Sequence, residues 1–330
     1  MYKRNCLLRA AGLALALLLT LLSCFGESDT GDYFPYPDPD EETEPTEELD
    51  LDMLQWNEAL GETFELLNSY QNILVVGLDS RPGESTGRSD TMVIMSVNPD
   101  SNTIKLISLM RDLYVEIPGY KNNRLNSAYF RGGAELLKKT VELNFGIHID
   151  AYVAVDFSML ANLIDQLGGL TLTVDSEYYL DRINAVIKED NKVLRLDLND
   201  GLLTEWGEVL MTGKQAQAYA RYRYGTADGD FGRTVRQREV LMKIFEKLSN
   251  MPLLDLIRMA VNNFSNVSTD LSLQDIVTLA PLLLAMRDAD FEQLRIPVNN
   301  GYSNQTISGM AVLVPNRNKT LAAIAEFLAE

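Results

Sequence analysis

Residues 151–174 read AYVAVDFSMLANLIDQLGGLTLTV. Tyr152 to Val155 is a run of aromatic, β-branched and small apolar residues, the composition of a buried strand. From Phe157 to Leu167 the spacing becomes helical, and Gly168-Gly169 closes that helix, because glycine enters the left-handed region at a helix end without steric cost. Leu170 to Val174 returns to strand composition. This strand–helix–strand order predicts an α/β domain whose mixed central sheet is flanked by helices on both faces.

The same reading extends in both directions. Asn72 to Asp79 (NILVVGLD) is a short apolar strand that feeds a loop through Gly77 and Asp79. Thr91 to Val97 and Thr103 to Met110 are β-rich runs on either side of Asn98-Pro99-Asp100-Ser101-Asn102, turn chemistry that predicts a hairpin. Residues 133–145 (GAELLKKTVELNF) have helical periodicity and stop at Gly146. Residues 175–205 read as an irregular, charged surface excursion. Helices are expected over 213–222, 233–249, 252–263 and 273–287, and strands at Phe291 to Pro297 and Met310 to Val314. A last helix follows Pro315, placed at its first turn. No internal repeat and no second linker interrupts residues 61–330, so they form a single domain.

The amino-terminal segment has a different character. Residues 1–24 combine a basic start with an uncharged run from Ala10 to Leu22, followed by Ser23-Cys24, the layout of a secretory signal. That run falls short of the ~20 residues needed to span a bilayer. Leu21-Leu22-Ser23-Cys24 looks like a lipobox, with Cys24 as the acylated lipid anchor; an uncleaved signal anchor starting near Cys6 is the alternative. Both place the remainder at the extracytoplasmic face of the cell membrane. Residues 25–60 form an acidic linker. Its first part, 25–55, holds twelve Asp or Glu and no Lys or Arg, with Pro35, Pro37, Pro39 and Pro45 interspersed. Such a segment cannot bury enough apolar surface to fold, so a disordered, extended stalk is expected.

The formal charge of −18 falls mostly on that stalk, which leaves −9 for residues 56–330. An acidic body argues against a nucleic-acid partner, which selects a broad basic face. Cys6 and Cys24 are the only cysteines, so the body has no disulfide, no thiolate nucleophile and no Cys-ligated metal. His148 is the only histidine, which excludes Ser-His-Asp hydrolysis and His-ligated zinc. Lying between a helix and a strand, it reads as structural.

Against this acidic background, ARYRYGTADGDFGRTVRQRE (220–239) gathers Arg221, Arg223, Arg233, Arg236 and Arg238. Guanidinium groups at this density repel one another unless an anion lies between them, and planar bidentate recognition of phosphate favours Arg over Lys. A solvated surface rich in Arg and Glu is the competing reading. Along the helix expected from 233, Arg233, Arg236 and Gln237 share one face near the N-terminus, where a bound anion would offset the dipole. Val235, Val240, Leu241, Ile244, Phe245 and Leu248 supply its apolar side. Three upstream loops add Asp79 after a strand, Arg88 and Asp90 before one, and Arg111-Asp112 at the end of another. Asp79 and Asp90 serve either as loop caps or as the carboxylates that hold Mg²⁺, or Mn²⁺ in its place. Carboxylates with several arginines form the inventory of phosphoryl transfer, where the protein positions groups and neutralises charge. No Walker motif and no GxSxG elbow occurs in these loops.

Four ordered blocks carry a resemblance. GRSDTMVIMSVNPDSNTIKLISLMRD, RLNSAYFRGG, AYVAVDFSMLANLIDQLGGLTLTV and LMTGKQAQAYARYRYGTADGDFGRTVRQREVL, spread over roughly residues 70–250, look like the LytR-CpsA-Psr family of cell-wall polymer ligases. The resemblance implies an extracellular, membrane-tethered phosphotransferase. Its donor would be a polyprenyl-pyrophosphate-linked glycan and its acceptor peptidoglycan, with a teichoic acid or capsule polymer moved together with its proximal phosphate. It implies Asp79 and Asp90 as the Mg²⁺-associated aspartates and Arg111 as the arginine of an RD motif. Arg221, Arg223 and Arg233, with Gln237 beside them, would bind the pyrophosphate, and Asp230 matches the acidic residue before the last of these arginines. The chain departs from the family pattern at Met110, commonly Pro, and at Arg124, commonly Lys, and neither change removes a charge. Arg88, Arg124 and Arg236 complete the expected substrate-binding set, and Asp112 or Asp230 is the expected base. Leu253, Leu254, Ile257, Ile276, Leu282 and Leu283 read either as ordinary core or as the lining of a slot for the polyprenyl tail. A hydrolase of the same pyrophosphate and a non-catalytic lipid-glycan binding or regulatory protein are the competing functions.

Overall fold

The computed structural model describes residues 70–79, 88–222 and 229–329. The signal segment, Cys24, the stalk and its boundaries, and Arg223 lie outside the described residues, as do the side chains of Asp79, Arg88, Asp230, Ile276, Leu282 and Leu283. The strands, in chain order, are β1 (Gln71–Asp79), β2 (Arg88–Asn98), β3 (Thr103–Leu109), β4 (Tyr114–Ile117), β5 (Tyr120–Arg124), β6 (Ala151–Asp156), β7 (Leu170–Val174), β8 (Gly207–Met211), β9 (Ser268–Thr269), β10 (Asp290–Ile296), β11 (Tyr302–Ile307) and β12 (Met310–Pro315). The helices are α1 (Asn126–Phe145), α2 (Phe157–Gln166), α3 (Glu177–Val193), α4 (Gly213–Arg221), α5 (Gly229–Ser249), α6 (Leu253–Asn263), α7 (Leu273–Ala285) and α8 (Arg317–Ala329). No helix among the described residues is long and apolar enough to cross a membrane.

Six strands form a mixed sheet in the order β10-β3-β2-β1-β6-β9. β2 runs antiparallel to both β1 and β3, while β6 is parallel to β1 and β10 is parallel to β3. The carboxy-terminal ends of β1, β3, β6 and β10 therefore share one edge, where open α/β sheets place their ligands. Because side chains alternate along a strand, the sheet feeds two cores. Ile73, Val75, Met95, Leu106 and Val153 pack with residues of α2, α4 and α5 on one face. Leu74, Val76, Ile94 and Ile107 pack with residues of α1 and α8 on the other. Lys105 of β3 is fully buried on the second face, where it donates to the Phe327 carbonyl of α8 at 2.6 Å and pairs with Glu292 of β10 at 2.9 Å.

The expected α/β architecture is present, and the β2–β3 hairpin turns where Asn98 was expected to turn it. The Asn98 side-chain oxygen accepts from the backbone of Asp100 at 3.1 Å. Several other expectations need correction. β7 does not join the central sheet but pairs with β8 in a separate two-stranded ribbon. Residues 175–205 are not an irregular excursion, since most of them form α3, which buries only Ile183, Ile187 and Asn191 and so leaves its charged residues at the surface. α5 begins at Gly229 rather than 233, which moves Arg233 away from the helix start, and Val235 faces solvent instead of the core. α1 starts at Asn126, earlier than residue 133, and bends at Gly132–Gly133. Asp90 lies within β2, not before it. Pro315 ends β12, and Asn316 caps α8 by accepting from the Lys319 backbone at 3.0 Å. Strands β4, β5, β8, β9 and β11 were not anticipated.

Candidate active site

The site is built at the shared edge of the sheet. β1 and β2 are in register up to Gly77↔Thr91, and then the pairing jumps to Leu78↔Ser89 and Asp79↔Arg88. Asp90 is thus the extra residue of a bulge, a device that re-aims a side chain at the end of a ladder. It is 5% exposed. β3 ends in a tight turn, with the Leu113 backbone donating to the Met110 carbonyl at 3.2 Å, and this turn presents Arg111 and Asp112. Arg111 reaches Asp90 at 3.1 Å and lies 3.6 Å from Asp112. Arg124, at the end of β5, stands 3.3 Å from the other Asp112 oxygen. The result is a chain of alternating charge, Asp90–Arg111–Asp112–Arg124, in which Arg111 is 14% exposed and the two outer groups on the Asp112 side are about one quarter exposed.

The second set of arginines comes from α4 and α5. A capping box at Thr212 and Gln215 starts α4, and the helix ends on Arg221. Arg221 is buried and pairs with Asp190 of α3 at 2.7 Å. Arg236 donates to the Tyr222 carbonyl and lies over the Tyr222 ring at 3.8 Å from its centroid. Burial lowers the Arg236 pKa from its ordinary value, and burial raises that of Tyr222 while Arg236 opposes the rise. Gln237 donates to the Thr91 hydroxyl at 3.1 Å, which ties α5 to the strand residue next to Asp90. Arg233, one turn earlier on the same face, is 2% exposed. The expected face of Arg233, Arg236 and Gln237 is therefore buried, with Gln237 reaching the strand beside Asp90 and Arg236 turned to Tyr222.

The structure thus brings together Asp90, Arg111, Asp112 and Arg124 by direct contact, and it links Gln237 to them through Thr91. Asp79 and Arg88 are partners in register at the end of the β1–β2 ladder. Asp230 belongs to the first turn of α5. Arg238, in the same sequence cluster, does different work. It donates to Gln293 of β10 at 2.5 Å and to Ser108 of β3 at 2.9 Å, locking α5 across the sheet. Burial, with Arg295 nearby, lowers its pKa to about 10. His148 is exposed and pairs with Glu142, at the opposite end of β6 from the site, which accords with a structural role. Of the candidate slot residues, Leu254 is 67% exposed, whereas Ile257 packs against the core. Asp190 and Tyr222 are site supports that the sequence reading missed. Tyr222 stood in view within the arginine cluster, and Asp190 was hidden by reading α3 as irregular.

Comparison with known proteins decides the family. The LytR_cpsA_psr family model matches residues 39–326. The chain belongs to the LytR-CpsA-Psr family. Among its relatives in that family is regulatory protein MsrR of Staphylococcus aureus, 30% identical over 264 residues, covering 78% of this chain and 74% of MsrR. The polyisoprenyl-teichoic acid–peptidoglycan teichoic acid transferase TagU of Enterococcus faecalis is 34% identical over 215 residues, covering 63% of this chain and 64% of TagU. Solved structures of TagT share the fold. TagT bound to LIIa-WTA superposes with a TM-score of 0.63 at 26% identity, covering 80% of this chain and 91% of TagT. TagT, known from Bacillus subtilis, with bound octaprenyl pyrophosphate gives 0.58 at 25% identity, covering 80% and 90%.

Proposed function

We propose that this LytR-CpsA-Psr protein is an extracytoplasmic phosphotransferase that moves a glycan, with its proximal phosphate, from a polyprenyl-pyrophosphate carrier onto peptidoglycan. The observation that carries this reading is the Asp90–Arg111–Asp112–Arg124 array at the sheet edge, joined to α5 through Gln237 and Thr91. The teichoic acid transferase activity of TagU and the octaprenyl pyrophosphate bound by TagT support it. Arg111, Arg221 and Arg233, with Arg88, Arg124, Arg223, Arg236 and Gln237 around them, would hold and neutralise the two phosphates. Several are internally paired, Arg221 with Asp190 and Arg236 with Tyr222, and those partners fix their direction before a ligand arrives.

Asp90, buried at the β2 bulge, and Asp79, at the paired end of β1, would supply the carboxylates for Mg²⁺ or Mn²⁺. When bound, the ion would supply positive charge to offset that of the phosphates. In the transfer, an acceptor hydroxyl attacks the glycan-side phosphorus. A new P–O bond forms, the bond to the bridging oxygen breaks, and polyprenyl monophosphate leaves. Asp112, the more exposed of the two described carboxylates, takes the hydroxyl proton; Asp230 is the second candidate. The body is tethered to the membrane through residues 1–24. The test is incubation of the full chain in detergent with a polyprenyl-pyrophosphate-linked disaccharide, Mg²⁺ and peptidoglycan. Wall-bound glycan that requires all three components is the expected result. Glycan phosphate released equally well without peptidoglycan would favour a pyrophosphate hydrolase, and binding without turnover would favour a non-catalytic role.

A further inference from the structure

The RLNSAYFRGG block brings Arg124 to the charged array and, two residues later, Asn126, the first residue of α1. The backbone of Asn126 is held on both sides of the Asp90–Arg111 pair. Its N–H donates to the Arg111 carbonyl at 3.3 Å. Its carbonyl accepts from the hydroxyl of Ser89, the residue before Asp90, at 3.4 Å. Arg111 in turn reaches Asp90 at 3.1 Å, so three consecutive contacts close around that carboxylate.

The ordinary reason for an Asn at a helix start is absent here. Asn favours the N-cap, where its oxygen accepts from an N–H of the first turn. Leu125 occupies that position, and Asn126 stands one residue inside the helix. Asn126 is 4% exposed. Its side-chain oxygen is buried, and among the described residues no group donates to it. A buried acceptor without a donor is costly, and native proteins keep one where an ordered water or an ion satisfies it. The neighbours select the partner. An acceptor oxygen set close to the Asp90 carboxylate repels a phosphate oxygen and favours a cation or the water around one. Mg²⁺ is held by one or two carboxylates and keeps several waters, whose protons need acceptors.

We propose that Asn126 belongs to the divalent-cation site of Asp79 and Asp90, its side-chain oxygen accepting a hydrogen bond from water that the ion retains. This rests on the metal reading of those two aspartates. The test titrates Mn²⁺ into the full chain in detergent, with and without octaprenyl pyrophosphate, and follows the free ion by electron paramagnetic resonance. Wild type is compared with Asn126→Leu, which removes the oxygen at similar volume, with Asn126→Asp, which keeps it and adds a charge, and with Asp90→Asn. Asn126→Leu should weaken Mn²⁺ binding roughly 10–100-fold, as the loss of an outer-shell partner does, while calorimetry shows metal-free binding of the lipid unchanged. Asn126→Asp should bind Mn²⁺ more tightly than wild type. Mn²⁺ affinity that is unchanged in both variants, or weakened alike in both, overturns the proposal, and the metal reading stands if Asp90→Asn loses the ion. Should Asn126→Leu lose the lipid as well, the Asp variant decides alone, and Mn²⁺ binding no tighter than wild type overturns the proposal. Wild-type protein that binds no Mn²⁺, with or without the lipid, overturns the metal reading itself and this inference with it.

Discussion

Arg111 is the residue on which the charged array turns, since it stands between Asp90 and Asp112 and no other described cation contacts both. Replacing it with Ala removes a charge-assisted phosphate contact, each such hydrogen bond being worth about 1.5–3 kcal/mol, and leaves the buried Asp90 without that cation. Arg111→Ala is expected to abolish transfer while far-UV circular dichroism stays native; turnover near the wild-type level would remove Arg111 from the site. The aspartates make a separate prediction. Asp79→Asn combined with Asp90→Asn should lower activity and flatten its dependence on Mg²⁺ concentration, and a double variant that stays active with an unchanged Mg²⁺ titration would place the metal elsewhere. The charged residues of this site were legible in the sequence because Arg and Asp at strand ends and in tight clusters stand out against an acidic chain. Their partners were not. Nothing in local spacing shows that Asp112 meets Arg124, that Asp190 meets Arg221, or that Arg236 stacks on Tyr222, because each pairing joins separate elements through the tertiary fold.

At the scale of elements, the arginine side depends on how α4 is seated. Gly213 opens that helix directly against α2, where an added Cβ would lie 2.0 Å from the Ala161 carbonyl oxygen, and its backbone donates to Asp165 at 2.8 Å. Backbone cannot step aside as a side-chain tip can, so Gly213→Ala should destabilise by about 1–3 kcal/mol, read as a lowered urea midpoint with an unchanged slope. α4 and α5 are joined in turn by the Tyr219 hydroxyl, which donates to Glu239 at 2.7 Å. Burial first, and then the hydrogen bond to Glu239, raise the Tyr219 pKa far above its ordinary value near 10. A raised pKa stabilises the fold fully below pH 10, and that contribution is lost as pH rises above it, where the unfolded tyrosine ionises first. Tyr219→Phe should therefore cost about 1.5–3 kcal/mol at pH 7, and its stability should fall less steeply than that of wild type above pH 10. Equal slopes in urea melts across that range would contradict this. The elements with strong apolar period were legible, β1, β2, β3, β6 and α2 among them. α3 was not, because its buried stripe is only three residues wide. β4, β5, β8, β9 and β11 were not, because strands of two to six residues carry little apolar signal, least of all the mostly exposed β11.

At the scale of the whole molecule, an acidic body with one arginine-rich edge follows an acidic sequence, residues 25–60, expected to form a stalk. Such a stalk's own repulsion, and that of anionic lipids, would hold the body away from the membrane while an anchor at its start would keep it near a lipid-linked donor. Because Ala10 to Leu22 falls short of a span and Ser23-Cys24 follows at once, Cys24 should become the acylated first residue. Intact mass of the protein extracted from its host checks this, and a mass that retains residues 1–23 without acyl chains would mean a signal anchor. The central claim, that the arginine–aspartate edge transfers a glycan together with its phosphate, is tested most directly by ³¹P NMR of purified, wall-linked product. The full chain, supplied with a polyprenyl-pyrophosphate-linked glycan, Mg²⁺ and peptidoglycan, should yield a phosphodiester between glycan and wall, absent with Arg111→Ala. A wall-linked glycan without phosphorus, or only free glycan phosphate in solution, would contradict it.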